Sequence, residues 1–195
     1  MRNISGITDI RDKDGFEEYY SAHVSSLLEE SNWRVIVHSL RLIKTPDEIE
    51  KIRKAIHVSH EAFAYIEKII QPGMYEYEIE AEIARIFRSH HLIEAYPTIV
   101  TSGSNTCVLH YTEHSRQIEN GDLVLIDAGS EYMGYASDTT RTLFVGNTMP
   151  DRIRQVYESV MHIKKIAENA LIPKRSLTEY ENIVRNAMNL ELQML

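Results

Sequence analysis

Two aspartates eleven positions apart, Asp127 and Asp138, carry the first chemical signal in this chain. Asp127 closes the apolar run Leu123-Val124-Leu125-Ile126, and a carboxylate ending such a strand is expected to be at least half buried. An isolated buried charge is costly, so a cation, a metal or several N–H donors should meet it. Asp138 follows the glycine-containing stretch Gly129 to Gly134, and a hairpin there would set the two strands side by side. Two carboxylates on adjacent strands can clamp one or two hard or borderline metal ions, which offset their mutual repulsion. Without a metal, one of the two should stay protonated. The plain alternative for each is a solvated turn aspartate.

The remaining candidates are weaker. His110, in Val108-Leu109-His110-Tyr111, reads as a strand histidine, which by residue type alone is a hydrogen-bonded structural group. His57 and His60 lie three apart on a helix, but their neighbours are ordinary helix-surface residues. Cys107 precedes a β-branched residue and has no evident base, which favours a buried inert thiol over a nucleophile. There is no phosphate-cradling glycine loop, Gly-x-Ser-x-Gly elbow or His-Glu-x-x-His helix, so P-loop and activated-serine chemistry lose support. A metal–carboxylate site remains.

Helices and strands must position these residues. Thr45-Pro46-Asp47-Glu48 is a helix start with a capping box, and Ile49, Ile52, Ile56, Phe63, Ile66 and Ile70 follow on one face until Gln71-Pro72-Gly73. A second helix is expected from Tyr75 to His90. Tyr96 to Ser102, Cys107 to Tyr111, Leu123 to Ala128 and Thr139 to Val145 read as strands separated by glycine and asparagine turns. A helix follows Pro150, and Ser176 caps another. Upstream, Phe16 to Leu28 is expected as a helix and Trp33 to Val37 as a short strand. Asp12-Lys13-Asp14-Gly15 fails the calcium-loop template, which needs a glutamate where His23 stands. Two helices, an antiparallel sheet and two helices make an α+β arrangement.

Composition bounds the function. The 195 residues are 26% charged and 43% hydrophobic, an ordinary globular balance. With 29 acidic and 21 basic residues the net charge is −8, which argues against a nucleic-acid backbone binder. No apolar run approaches the ~18 residues of a membrane span. A single cysteine and no signal-like apolar stretch give the expectation of a cytoplasmic protein.

Three stretches together resemble one family. They are Thr101-Ser102-Gly103-Ser104-Asn105 to His110-Tyr111-Thr112-Glu113, Asn120 to Gly129, and Gly134-Tyr135-Ala136-Ser137-Asp138-Thr139-Thr140-Arg141-Thr142. They are similar to Xaa-Pro aminopeptidase (aminopeptidase P), a pita-bread metallopeptidase. The resemblance covers roughly Leu40 to Leu195. It implies a partial pita-bread fold: residues 1–40 a linker or remnant of an N-terminal domain, residues 41–195 the first half of a catalytic domain. It implies hydrolysis of the bond between an N-terminal residue and proline by a metal-bridged hydroxide. Two divalent ions are implied, manganese with cobalt or zinc as alternatives, on peptides with proline at the second position and in a chain that forms homo-oligomers. Asp127 and Asp138 would be metal ligands, His110 would assist substrate and transition state, and Arg141 would back a carboxylate. The family's further histidine and two glutamate ligands, from a second half, do not occur before Leu195, so this chain alone is expected to be inactive. The rival is a non-catalytic pita-bread module that binds peptides or proteins.

Overall fold

The computed structural model describes residues 30–195. The helix expected over Phe16 to Leu28 and the Asp12 to Gly15 stretch lie outside the described residues. The described residues divide into two units, 30–54 and 55–195. Its elements in order are α1 (Glu30–Leu42), α2 (Pro46–Ile69), α3 (Glu76–Ser89), β1 (Ile93–Glu94), β2 (Ile99–Ser102), a 3₁₀ turn (Gly103–Cys107), β3 (Asp122–Ala128), β4 (Ser130–Tyr132), β5 (Tyr135–Ala136), β6 (Thr139–Val145), α4 (Asp151–Ala170) and α5 (Leu177–Met194). Among the described residues no helix is long and apolar enough to cross a membrane.

In the first unit, the strand expected at Trp33 to Val37 is instead part of helix α1. β-branched residues favour a strand where a neighbouring strand takes up their backbone groups, whereas a helix satisfies those groups locally. The capping box that opens α2 forms as expected: Thr45 N–H donates to Glu48 Oε2 at 2.6 Å and Glu48 N–H to Thr45 Oγ1 at 3.4 Å.

The second unit is built on two antiparallel sheets, ordered β2-β3-β6 and β1-β4-β5. Val124, Ile126 and Ala128 of β3 face a core made with Val58, Ala62 and Ile66 of α2 and Ile79, Ile83 and Phe87 of α3. Because strand side chains alternate, Asp127 points away from that core. The buried face of α2 is Ala55, Val58, Ser59, Ala62, Phe63 and Ile66, while the expected core residue Ile56 is 37% exposed. Small residues on this face let the helix backbone approach the sheet: Ser130 Oγ donates to Ala55 O at 2.9 Å.

That contact belongs to a buried knot of three serines. Ser59 Oγ lies 2.8 Å from Ser137 Oγ, and Ser130 N–H donates to Ser137 Oγ at 2.9 Å and to Ser59 Oγ at 3.1 Å. The knot pins both legs of the β4–β5 hairpin, whose Tyr132↔Tyr135 pair is closed by Met133 and Gly134 at φ 52 and 83. Two successive left-handed residues give the twist that matches such a hairpin. Gly129 precedes the knot, and a Cβ there would sit 1.9 Å from Ser137 O. Gly129→Ala is therefore expected to cost about 3 kcal/mol through overpacking against backbone, read as a lowered urea midpoint. A variant within 0.5 kcal/mol of the parent, an unremarkable surface-like change, would show that the strand can shift freely.

Helix α3 ends with His91 in the left-handed region at φ 61, with Leu92 N–H bonding Phe87 O and His91 N–H bonding Arg88 O. This is a six-to-one helix closure with histidine where glycine is usual. Ser176 caps α5 as expected, with a reciprocal Ser176–Glu179 pair. His162 Nδ1 and Glu191 Oε1, 2.5 Å apart, join α4 to α5, and that hydrogen bond holds the Glu191 carboxyl below its ordinary value.

Candidate metal centre

Asp127 is the penultimate residue of β3, flanked by Ile99 of β2 and Thr140 of β6 in register. Asp138 is the residue just before β6. The β4–β5 hairpin and its serine knot fill the chain between them, which brings the two carboxylates together without a direct strand pairing of their own. Asp127 is half-buried and Asp138 exposed.

Both carboxylates converge on a residue that the sequence did not single out. Tyr96 Oη donates to Asp127 Oδ1 at 2.7 Å and lies 3.2 Å from Asp138 Oδ1. Burial first, then the bond and charge of Asp127 and the charge of Asp138, push the Tyr96 phenol well above its ordinary range, so it stays a proton donor. Tyr96 precedes Pro97, which favours extended backbone and fixes the approach of the ring. Nothing else in its type distinguished it from the chain's eleven tyrosines.

His110 lines the same cavity of about 380 Å³ as Tyr96, Asp127 and Asp138. It does not lie on a strand. The stretch expected as Cys107 to Tyr111 is the end of the 3₁₀ turn followed by a tight turn, with His110 at φ 54. A left-handed residue cannot continue a strand ladder. Cys107, expected buried, is exposed on this loop.

A buried carboxylate organises the loop. Glu76, the first residue of α3, is fully buried. It accepts Ser102 N–H at 2.6 Å, Ser102 Oγ–H at 2.7 Å, Asn105 Nδ2 at 3.3 Å and Arg116 N–H at 3.1 Å. Arg116 in turn donates to Ser102 Oγ at 2.8 Å and pairs with Asp122. Both ends of the His110 loop are thus tied to one side chain. In the sequence Glu76 looks like a helix-dipole acid, because its partners lie 26 to 40 positions on.

Arg141 is exposed and its Nη1 donates to Thr140 O at 2.8 Å. It lines a separate, largely apolar groove between β6 and α4 and has no carboxylate partner among the described residues. In this structure it does not back Asp127 or Asp138. His57 and His60 are exposed on α2, consistent with surface residues.

The donor set suits a divalent cation in kind. Asp127 and Asp138 are hard oxygen donors that both meet the Tyr96 hydroxyl. In number it falls short: among the described residues no three His, Cys, Asp or Glu side chains gather closely enough to hold an ion.

The chain is 41% identical over 149 residues to the Xaa-Pro aminopeptidase of Escherichia coli, covering 76% of this chain and 34% of that protein. It is 36% identical over 152 residues to the Xaa-Pro dipeptidase of Pyrococcus furiosus, covering 77% and 43%. The solved structure of a variant Escherichia coli aminopeptidase P in complex with substrate superposes at a TM-score of 0.80 and 40% identity, covering 84% of this chain and 37% of that one. The mixed helix and antiparallel-sheet architecture is therefore part of the pita-bread fold, and the chain spans well under half the length of the relatives it matches. Residues 50–193 match the metallopeptidase family M24 pattern, and the chain belongs to that family.

Proposed function

We propose that residues 41–195 form the first half of the catalytic domain of a longer metallo-aminopeptidase that releases the N-terminal residue preceding proline. The observation that carries this reading is the convergence of Asp127 and Asp138 on one point in the cavity that His110 lines. Asp127 and Asp138 would hold two divalent ions, manganese in the first instance, with the remaining ligands coming from outside this chain. Bound there, the ions supply Lewis-acid polarisation of the scissile carbonyl and acidity to a water.

The chain's own residues then divide the work. Tyr96 keeps the two carboxylates aligned through its hydroxyl. His110 donates a hydrogen bond to the substrate carbonyl oxygen as negative charge builds on it. Glu76 and Arg116 hold the loop that presents the imidazole. The relatives named as Xaa-Pro aminopeptidase and Xaa-Pro dipeptidase support the proline-directed reading.

The test is hydrolysis of Xaa-Pro-Xaa peptides by the longer protein, after chelation and after manganese is added back. Turnover should vanish with chelator and return with manganese, and equal cleavage after chelation would sink the reading. The 195-residue chain assayed by itself is expected to give no turnover. His110→Ala in the longer protein should lower kcat by ~10²-fold, the loss of one transition-state donor, with metal content unchanged by elemental analysis. A His110→Ala protein that loses its metal would instead make the histidine a ligand.

A further inference from the structure

A second cavity of about 520 Å³ adjoins the candidate metal centre and shares Tyr96 and Thr112 with it. It is lined by Glu80 from α3, Glu94 from β1, Thr98 and His114. Both glutamates are half-buried, and among the described residues neither side chain carries a hydrogen bond or ion pair. Thr98 is 4% exposed, and its Oγ1 is buried with no hydrogen-bond partner. A buried hydroxyl left unpaired costs about 1–3 kcal/mol, so its retention points to a partner that arrives from elsewhere. His114 accepts Val100 N–H through Nε2 at 3.3 Å, so that nitrogen is already engaged within the protein.

We infer that this cavity takes the basic side chain, guanidinium or ammonium, of a peptide, with Glu80 and Glu94 as its anionic partners and Thr98 Oγ1 as an added acceptor. This names a substrate class for the cleft and rests on the peptidase reading for the identity of the peptide as ligand. A metal ion is the poorer occupant. The glutamates and His114 do not gather as three ligands around one point. An extended cation with several donors can meet separated acceptors, which a compact ion cannot. The cavity also continues from the metal centre, so a peptide held at Asp127 and Asp138 can place a neighbouring side chain within it.

The test needs no turnover. The 195-residue chain is titrated with N-acetyl-argininamide and with its neutral isostere N-acetyl-citrullinamide, followed by NMR shift changes. The arginine compound should bind ~10-fold more tightly, because charge-assisted bonds are lost in the isostere. Glu80→Gln and Glu94→Gln should each weaken it, whereas Glu67→Gln, an exposed carboxylate outside the cavity, should not. Thr98→Val is the discriminating variant. It should lower affinity without lowering the melting temperature, since the hydroxyl has no partner within the protein to lose. Equal affinity for the two compounds, or indifference to both glutamine variants, would overturn the inference. Binding that persists while the longer protein fails to cleave Xaa-Pro peptides would keep the cavity and remove the peptidase reading.

Discussion

Asp138→Ala is expected to reduce kcat/KM of the longer protein on Xaa-Pro peptides by ~10²-fold or more, equivalent to a loss of about 2.7 kcal/mol or more of transition-state stabilisation. Asp138 is exposed, and among the described residues its only side-chain bond is the 3.2 Å contact to Tyr96, so the fold should lose little. Surface changes of that kind stay within about 0.5 kcal/mol. The variant thus separates chemistry from stability. A parent-like urea midpoint, reduced manganese content and lost turnover are expected together. Retained turnover with parent metal content would remove Asp138 from the site.

The second large effect is one of stability. Glu76→Ala is expected to cost about 3–5 kcal/mol, measured by urea unfolding of the 195-residue chain, because it leaves a buried set of donors without their acceptor. Two of the donors are backbone N–H groups, of Ser102 and Arg116, which cannot turn away to another partner. The Arg116–Asp122 pair would also lose the carboxylate beside it. Glu76→Gln keeps the shape and part of the acceptor capacity, and should cost about 1–2 kcal/mol. An alanine variant as stable as the glutamine variant would show that water replaces the carboxylate at no net loss.

The helices were legible where caps announce them. Thr45 and Ser176 each sit three residues before a glutamate, and both close as reciprocal pairs. Strand β3 was legible because its apolar residues are contiguous, and β6 because β-branched threonines lead into Leu143-Phe144-Val145; turn residues bound both. Legibility ended where conformation is decided by distant partners. Residues 107–111 have strand-like types, but the loop is shaped by Glu76, over twenty positions upstream, and by Arg116 packed over Gly103, whose φ is 51. Trp33 to Val37 failed for the opposite reason: with no strand partner among the described residues, local helical bonding wins. Asp127, Asp138 and His110 line one cavity, while Tyr96, whose hydroxyl meets both aspartates, was silent because its contacts exist only after folding.

The backbone of His110 has a consequence for anyone optimising this protein. A histidine at φ 54 is held where glycine rests without penalty, at an order of about 1 kcal/mol. Substitution by glycine should therefore raise the melting temperature even as it deletes the imidazole. Stability-guided redesign, blind to what the cavity is for, would score that exchange as an improvement. A selection for heat resistance alone would drift toward an inert protein, and a population that keeps histidine here in the face of that drift would record selection for its chemistry.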